Sequence, residues 1–164
     1  MQENSVKVWL EAMVRTQKSG WKGRKPPTPY LSIEDFVLQH GQEYQLAPYS
    51  INSSGKEANE CFKNAYLAFI FNEKLRYVEG YARSAEIPLP MLHGWCIDEN
   101  HKVLDPTWRD GVCYFGVVLD RDYVSLVLEA RNKKCGVLEC VEMRHPLLTG
   151  RHKYLGDGKV EYDR

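Results

Sequence analysis

Apolar positions recur first at helical spacing and later at strand spacing, and that change of period organises the chain. After Asn4 or Ser5, either able to cap a helix, Val8, Trp9, Leu10 and Met13 predict an amphipathic helix ending near Ser19-Gly20 and lying on the outside of the core. Between Lys18 and Pro29 the glycines and prolines oppose regular structure, so residues 18–30 read as a flexible connector. Ser32-Ile33-Glu34-Asp35 opens a short helix with an acidic first turn, running to about His40 before Gly41. Residues 1–40 thus form a helical extension. From Gly41 to Gly55 the chain reads as loop, with one short strand around Tyr44 to Leu46.

Two starts compete for the next helix. Ser54-Gly55-Lys56-Glu57 has capping-box spacing, whereas Asn59 as cap would put Cys61 in the first turn. The chemistry favours the second, because first-turn amides and the positive end of the helix dipole stabilise a thiolate. Phe62, Ala65, Tyr66 and Phe69 give this helix its buried stripe, ending around Asn72. Leu75 to Ala82 reads as a strand, and Ala85 to Pro90 as a connector. Met91 to Ile97 and Lys102 to Asp105 form a hairpin about Asp98-Glu99-Asn100. With Asn100 left-handed, the pairing centres on residue 99 and His93 faces Asp105; a one-residue slip would turn Asp105 to the other face. Val112 to Leu119 is a third strand, expected beside the hairpin in a small antiparallel sheet. Asp120 caps a helix through Arg131 with Val124, Val127 and Leu128 inward. Residues 136–141 read as an edge strand or short helix, and residues 156–164 as a disordered tail.

The chain has 164 residues, enough for one domain that buries about two-thirds of its unfolded surface without disulfide or metal staples. Its 22 basic and 22 acidic residues cancel, so no global field attracts polyanions and a dedicated nucleic-acid binder is disfavoured. No stretch has the length of a membrane span, and Met1 to Gln17 lack the pattern of a secretion signal. Five cysteines at irregular spacing do not make a disulfide framework, which points to a reducing, cytoplasmic setting. Around Trp21, the cations Lys18, Lys22, Arg24 and Lys25 could touch phosphates or an acidic partner, although a solvated linker is the ordinary reading of such a run.

Cysteine alone is most often a small buried hydrophobe, and a strand histidine is often a core group. The joint pattern carries more: Asn59-Glu60-Cys61 at a helix start, His93-Gly94-Trp95 on one strand and Asp105-Pro106-Thr107-Trp108 ending the next supply nucleophile, base and orienter. In this order, with Gly80-Tyr81 between, the middle third of the chain resembles the transglutaminase-like family of the papain-like cysteine enzyme superfamily. Gly94 stands where that family commonly has alanine. The resemblance implies a papain-like α+β core, Cys61 as nucleophile, His93 as general base and then acid, and Asp105 as histidine orienter.

The implied reaction is acyl transfer through a thioester. Hydrolysis of a peptide or amide is favoured, because water needs no second binding site. Amine transfer by a cross-linker, or an inactive binding module on the same fold, are the alternatives. Tyr49 and Asn52 are candidates for the second oxyanion donor, and Trp108, Trp95 and Tyr81 for cleft walls, against the commoner role of such aromatics in core packing. A zinc site is disfavoured: His93 and Cys96 differ by an odd number on one strand, and no Cys-x-x-Cys occurs. No cofactor is implied.

Overall fold

The computed structural model describes residues 5–26, 28–46, 59–140 and 147–150. Within them lie four helices, α1 (Val6–Trp21), α2 (Ile33–His40), α3 (Cys61–Ile70) and α4 (Arg121–Ala130), and five strands, β1 (Gln42–Leu46), β2 (Arg76–Ser84), β3 (Met91–Ile97), β4 (Lys102–Leu104) and β5 (Gly111–Val118). The described chain is α+β. Tyr49, Asn52, the Ser54 cap and the 156–164 tail lie outside the described residues.

Three helices begin on the side chains expected to cap them: Ser5, Ser32 and Asp120 accept from the amides of Val8, Asp35 and Tyr123. The inner face of α1 differs from the expectation. Val6, Leu10 and Val14, spaced by four, are buried, whereas Val8 is exposed. The helix also runs on to Trp21, past the predicted stop; Gly20 is carried inside it, and the chain turns at Lys22, whose left-handed backbone lets its N–H close on the Ser19 carbonyl.

The strands close into a barrel in the order β1-β4-β3-β2-β5. This corrects the expected small antiparallel sheet. The β5 strand lies beside β2 and β1 and not beside the hairpin, and β1 joins β4 in parallel through Gln45–Lys102 and Leu46–Val103. The short segment read at Tyr44 to Leu46 thereby covers two edges that would otherwise be left unpaired. Side chains sort by the period of two. Val78, Ala82, Trp95, Ile97, Val103, Tyr114 and Val118 fill the interior, while Tyr77, Tyr81, Cys96, Phe115 and Val117 meet the helices. Gly80 and Gly116 face each other across β2 and β5. A Cβ on Gly116 would come within 2.6 Å of the Trp95 indole, so the absent side chain makes room for that ring inside a narrow barrel.

The hairpin turn lies one residue later than expected. Asp98 and Lys102 bond across it, and His101, not Asn100, takes the left-handed conformation. The Asp98 carboxylate causes this by accepting from the amides of Asn100 and Lys102. Moving a turn by one residue moves the pairing by two: Cys96 faces Leu104 and Ile97 faces Val103. A shift of two preserves the face, so Asp105 stays on the side of His93 and sits diagonal to it. Residues 136–140 form neither strand nor helix, yet Val137, Leu138 and Cys140 are buried.

Candidate active site

Cys61 is the first residue of α3. Glu60 occupies the cap position, in place of the expected Asn59, and no side chain caps the helix. The first intrahelical bond runs from the Asn64 amide to the Glu60 carbonyl, 2.8 Å. The Cys61 N–H therefore belongs to the unpaired first turn, at the positive end of the helix dipole. Cys61 is half-buried.

His93 lies near the start of β3, on its barrel-interior side, and is 1% exposed. Its Nε2 is 2.7 Å from Asp105 Oδ2. That engagement occupies Nε2, and Cys61 borders the same cavity as the imidazole, so the three groups converge on one region. Burial by itself would pull the imidazole below its ordinary range. The hydrogen bond to Asp105, then the neighbouring Cys61 thiol, and the negative charge of the carboxylate, push it up to about 9.

Asp105 is held from four directions. Tyr114 Oη donates to Oδ2 at 2.8 Å, while the amides of Thr107 and Trp108 donate to Oδ1 at 2.8 and 3.0 Å. Burial would raise this carboxyl, but the His93 hydrogen bond and charge, with the two amides, hold it below the ordinary carboxylate range. The Asp-Pro-Thr-Trp motif thus folds back on its own aspartate, and Thr107 also reaches α3: Asn64 Nδ2 donates to its Oγ1 at 3.1 Å. That bond ties the carboxylate loop to the element carrying Cys61.

Trp108 stacks on the imidazole at 4.0 Å between centroids, with 18° between planes. A cavity of about 310 Å³ opens here, lined by Cys61, His93, Trp108 and Asn59 and by the apolar Phe62, Ile87, Met91 and Leu92. Of the other aromatics named as cleft walls, Trp95 is sealed in the barrel interior at 0% exposure, and Tyr81 packs on Trp9 and donates to Glu34 at 2.8 Å. Neither lines this cavity; the strand period that brings His93 inward takes Trp95 inward with it.

Sequence reasoning missed Tyr114, Asn64 and Asn59. For the first two the signal was faint: a tyrosine on an apolar strand, and an asparagine three residues after the cysteine, off the predicted apolar stripe. Among the described residues no group of three or more His, Cys, Asp or Glu side chains is set to hold a metal ion, and no helix is long and apolar enough to cross a membrane. The Lys18–Lys25 run splits between the end of α1 and the turn after it, with the Arg24 guanidinium 5.9 Å from the Trp21 ring centroid. Comparison with known proteins gives no match, whether to a family model, a curated protein or a solved structure.

Proposed function

We propose that this chain is a thiol-dependent acyl-transfer enzyme using a Cys61-His93-Asp105 triad, and that it hydrolyses an amide or peptide bond. The observation that carries the reading is the buried imidazole bonded to a fully engaged carboxylate and sharing one open cavity with a helix-start thiol. Kinship with the transglutaminase-like family rests on the order of motifs alone, and the barrel closed by parallel β1 and β4 departs from the core that kinship implies. The unbridged cysteines are in keeping with a reducing cytoplasmic setting.

In the proposed reaction Cys61 gives its proton to His93 and its sulfur bonds to the substrate carbonyl carbon. The tetrahedral oxyanion is met by the Cys61 N–H and by the amide side chain of Asn59, the one carboxamide bordering the cavity among the described residues. The C–N bond breaks as the imidazolium protonates the leaving amine. Water then gives a proton to neutral His93 and attacks the thioester, releasing the acid and restoring the thiol. Phe62, Ile87, Met91 and Leu92 suit an acyl donor whose neighbouring group is apolar.

The test is incubation with peptide amides bearing either leucine or aspartate next to the scissile carbonyl, with and without a primary amine. Mass spectrometry should find released ammonia or amine, a Cys61 thioester when the reaction is quenched early, and preference for the apolar donor. An amine adduct in place of the acid would indicate a cross-linker. Intact donors and no Cys61 adduct would favour a binding module.

A further inference from the structure

Glu79 is the one acidic side chain with no accessible surface among the described residues. It projects from β2 towards the helices, opposite Gly94 of β3, and accepts three hydrogen bonds: from Tyr77 Oη at 2.7 Å and from the amides of Val137 and Leu138 at 2.6 and 2.9 Å. The last two matter because residues 136–140 have no strand or helix to hold them, and a buried carboxylate supplies what a sheet would have supplied. Arg131 adds a bond to the Gly136 carbonyl at 2.7 Å.

The segment so held bears on Phe62, the residue after the nucleophile. A Cβ on Gly136 would come within 2.8 Å of the Phe62 ring and 2.7 Å of Glu79 Oε2; a Cβ on Gly94 would come within 2.9 Å of the same ring and 3.3 Å of Phe62 Cα. A glycine of β3 and a glycine of the irregular segment thus both abut one aromatic ring, with Tyr77 and Glu79 behind them. Gly94 is fixed by the β2–β3 ladder, whereas Gly136 is fixed by the bonds to its neighbours.

We propose that Glu79 is a positioning residue for Cys61, gripping residues 136–138 so that Gly136 and Gly94 clamp the Phe62 ring and set the first turn of α3 against His93. The inference rests on the reading of Cys61 and His93 as a catalytic pair. Glu79 touches no reacting atom and acts through Phe62. Glutamine at this position keeps shape and size but turns one acceptor into a donor. With its oxygen towards Leu138 and its amine towards Tyr77, the Val137 N–H faces another donor and goes unpaired.

The test uses the full chain, comparing wild type with Glu79→Gln, Gly136→Ala and His93→Ala by two readouts. Hydrogen exchange should quicken about tenfold in Glu79→Gln at Val137 and Leu138, the factor for losing one hydrogen bond, and also at Asn64 to Tyr66 in the first turns of α3. Alkylation of Cys61 at pH 8.5, where the Glu79 carboxyl is ionised, should slow about tenfold in both Glu79→Gln and Gly136→Ala, while Cys113 and Cys135 react as in wild type. Faster exchange confined to 136–138, or folded variants with wild-type Cys61 labelling, overturns the clamp. If His93→Ala leaves wild-type Cys61 labelling untouched, it is the catalytic pair that fails, and the exchange at Asn64 to Tyr66 still decides whether Glu79 holds the helix.

Discussion

Replacing Asp105 by asparagine probes the triad with the least disturbance of shape. An asparagine oxygen at the Oδ1 position still accepts from the amides of Thr107 and Trp108, and Tyr114 can reverse its hydroxyl to accept from the new amine. His93 cannot adapt without cost. An Nε2–H would face an N–H, so the ring must carry its proton on Nδ1, the nitrogen left for Cys61, and it then ceases to be a base for the thiol. The size of the effect follows from the imidazole. Its rise from 6.5 to about 9 is worth roughly 3 kcal/mol in favour of the imidazolium, and of the groups that raise it Asp105 contributes most. Asp105→Asn should therefore slow iodoacetamide labelling of Cys61 at pH 6 by about 100-fold, and acyl transfer by up to ~10⁴-fold where the tautomer also matters. Peptide-resolved mass spectrometry provides the assay, with Cys113 and Cys135 as internal references and near-ultraviolet circular dichroism as the check on folding. A folded variant whose Cys61 labels at the wild-type rate would refute the assignment of Asp105 as the group that charges and orients His93.

Tyr114→Phe removes one of the four donors to Asp105 and should cost about 1 kcal/mol in denaturant unfolding, with a several-fold fall in Cys61 labelling. Gly94→Ala puts a methyl against Phe62 Cα as well as its ring, so it should lower the thermal midpoint by about 3–10 °C and slow Cys61 labelling; unchanged values would mean that α3 is free to move outward. Burial lifts the Glu79 carboxyl to about 7, against the amides of Leu138 and Val137 and the Tyr77 hydroxyl, which favour its charged form. The folded state then holds that proton more tightly than the unfolded chain, so its contribution is present below about pH 4.5 and is lost as pH rises through 7, roughly 3 kcal/mol in all. His93 has the same sign in a later window, its contribution complete below about pH 6.5 and lost through about 9. Thermal unfolding should thus lose stability in two steps between pH 4.5 and 9, and Glu79→Gln should remove the first step alone.

Elements with strong local signals were legible in the chain. The β3 strand and the starts of α1, α2 and α4 follow from period and capping chemistry, and the helix start falls at Cys61, the start preferred over the Ser54 capping box, although no side chain caps it. The diagonal meeting of His93 and Asp105 was legible for a subtler reason: the turn was misjudged by one residue, but the resulting error in pairing was an even number and left both side chains on one face. What could not be read were contacts between distant segments. The parallel pairing of β1 with β4 has no local signature, and neither does the burial of Glu79, whose amide partners Val137 and Leu138 lie more than fifty residues on. Trp95 was misplaced because alternation tells which residues share a face but not whether that face is a cleft or a sealed interior. Tyr114 looked like one more apolar strand residue until the hairpin brought Asp105 under its hydroxyl.

The barrel's shortest seam is also its most consequential one. Only two residue pairs join β1 to β4, and only two join β4 to β3, whereas β2 is laced to each neighbour by seven. A ring with such uneven stitching parts first at its thinnest stitches, and here those hold β4, the strand that leads into Asp105. Opening of this seam should therefore reach the Asp105–His93 contact before the ladders of β2 part, and on the proposed reading it is such local opening at Gln45 and Lys102, resisted by Tyr114 and the Thr107 and Trp108 amides, that would interrupt activation of the thiol.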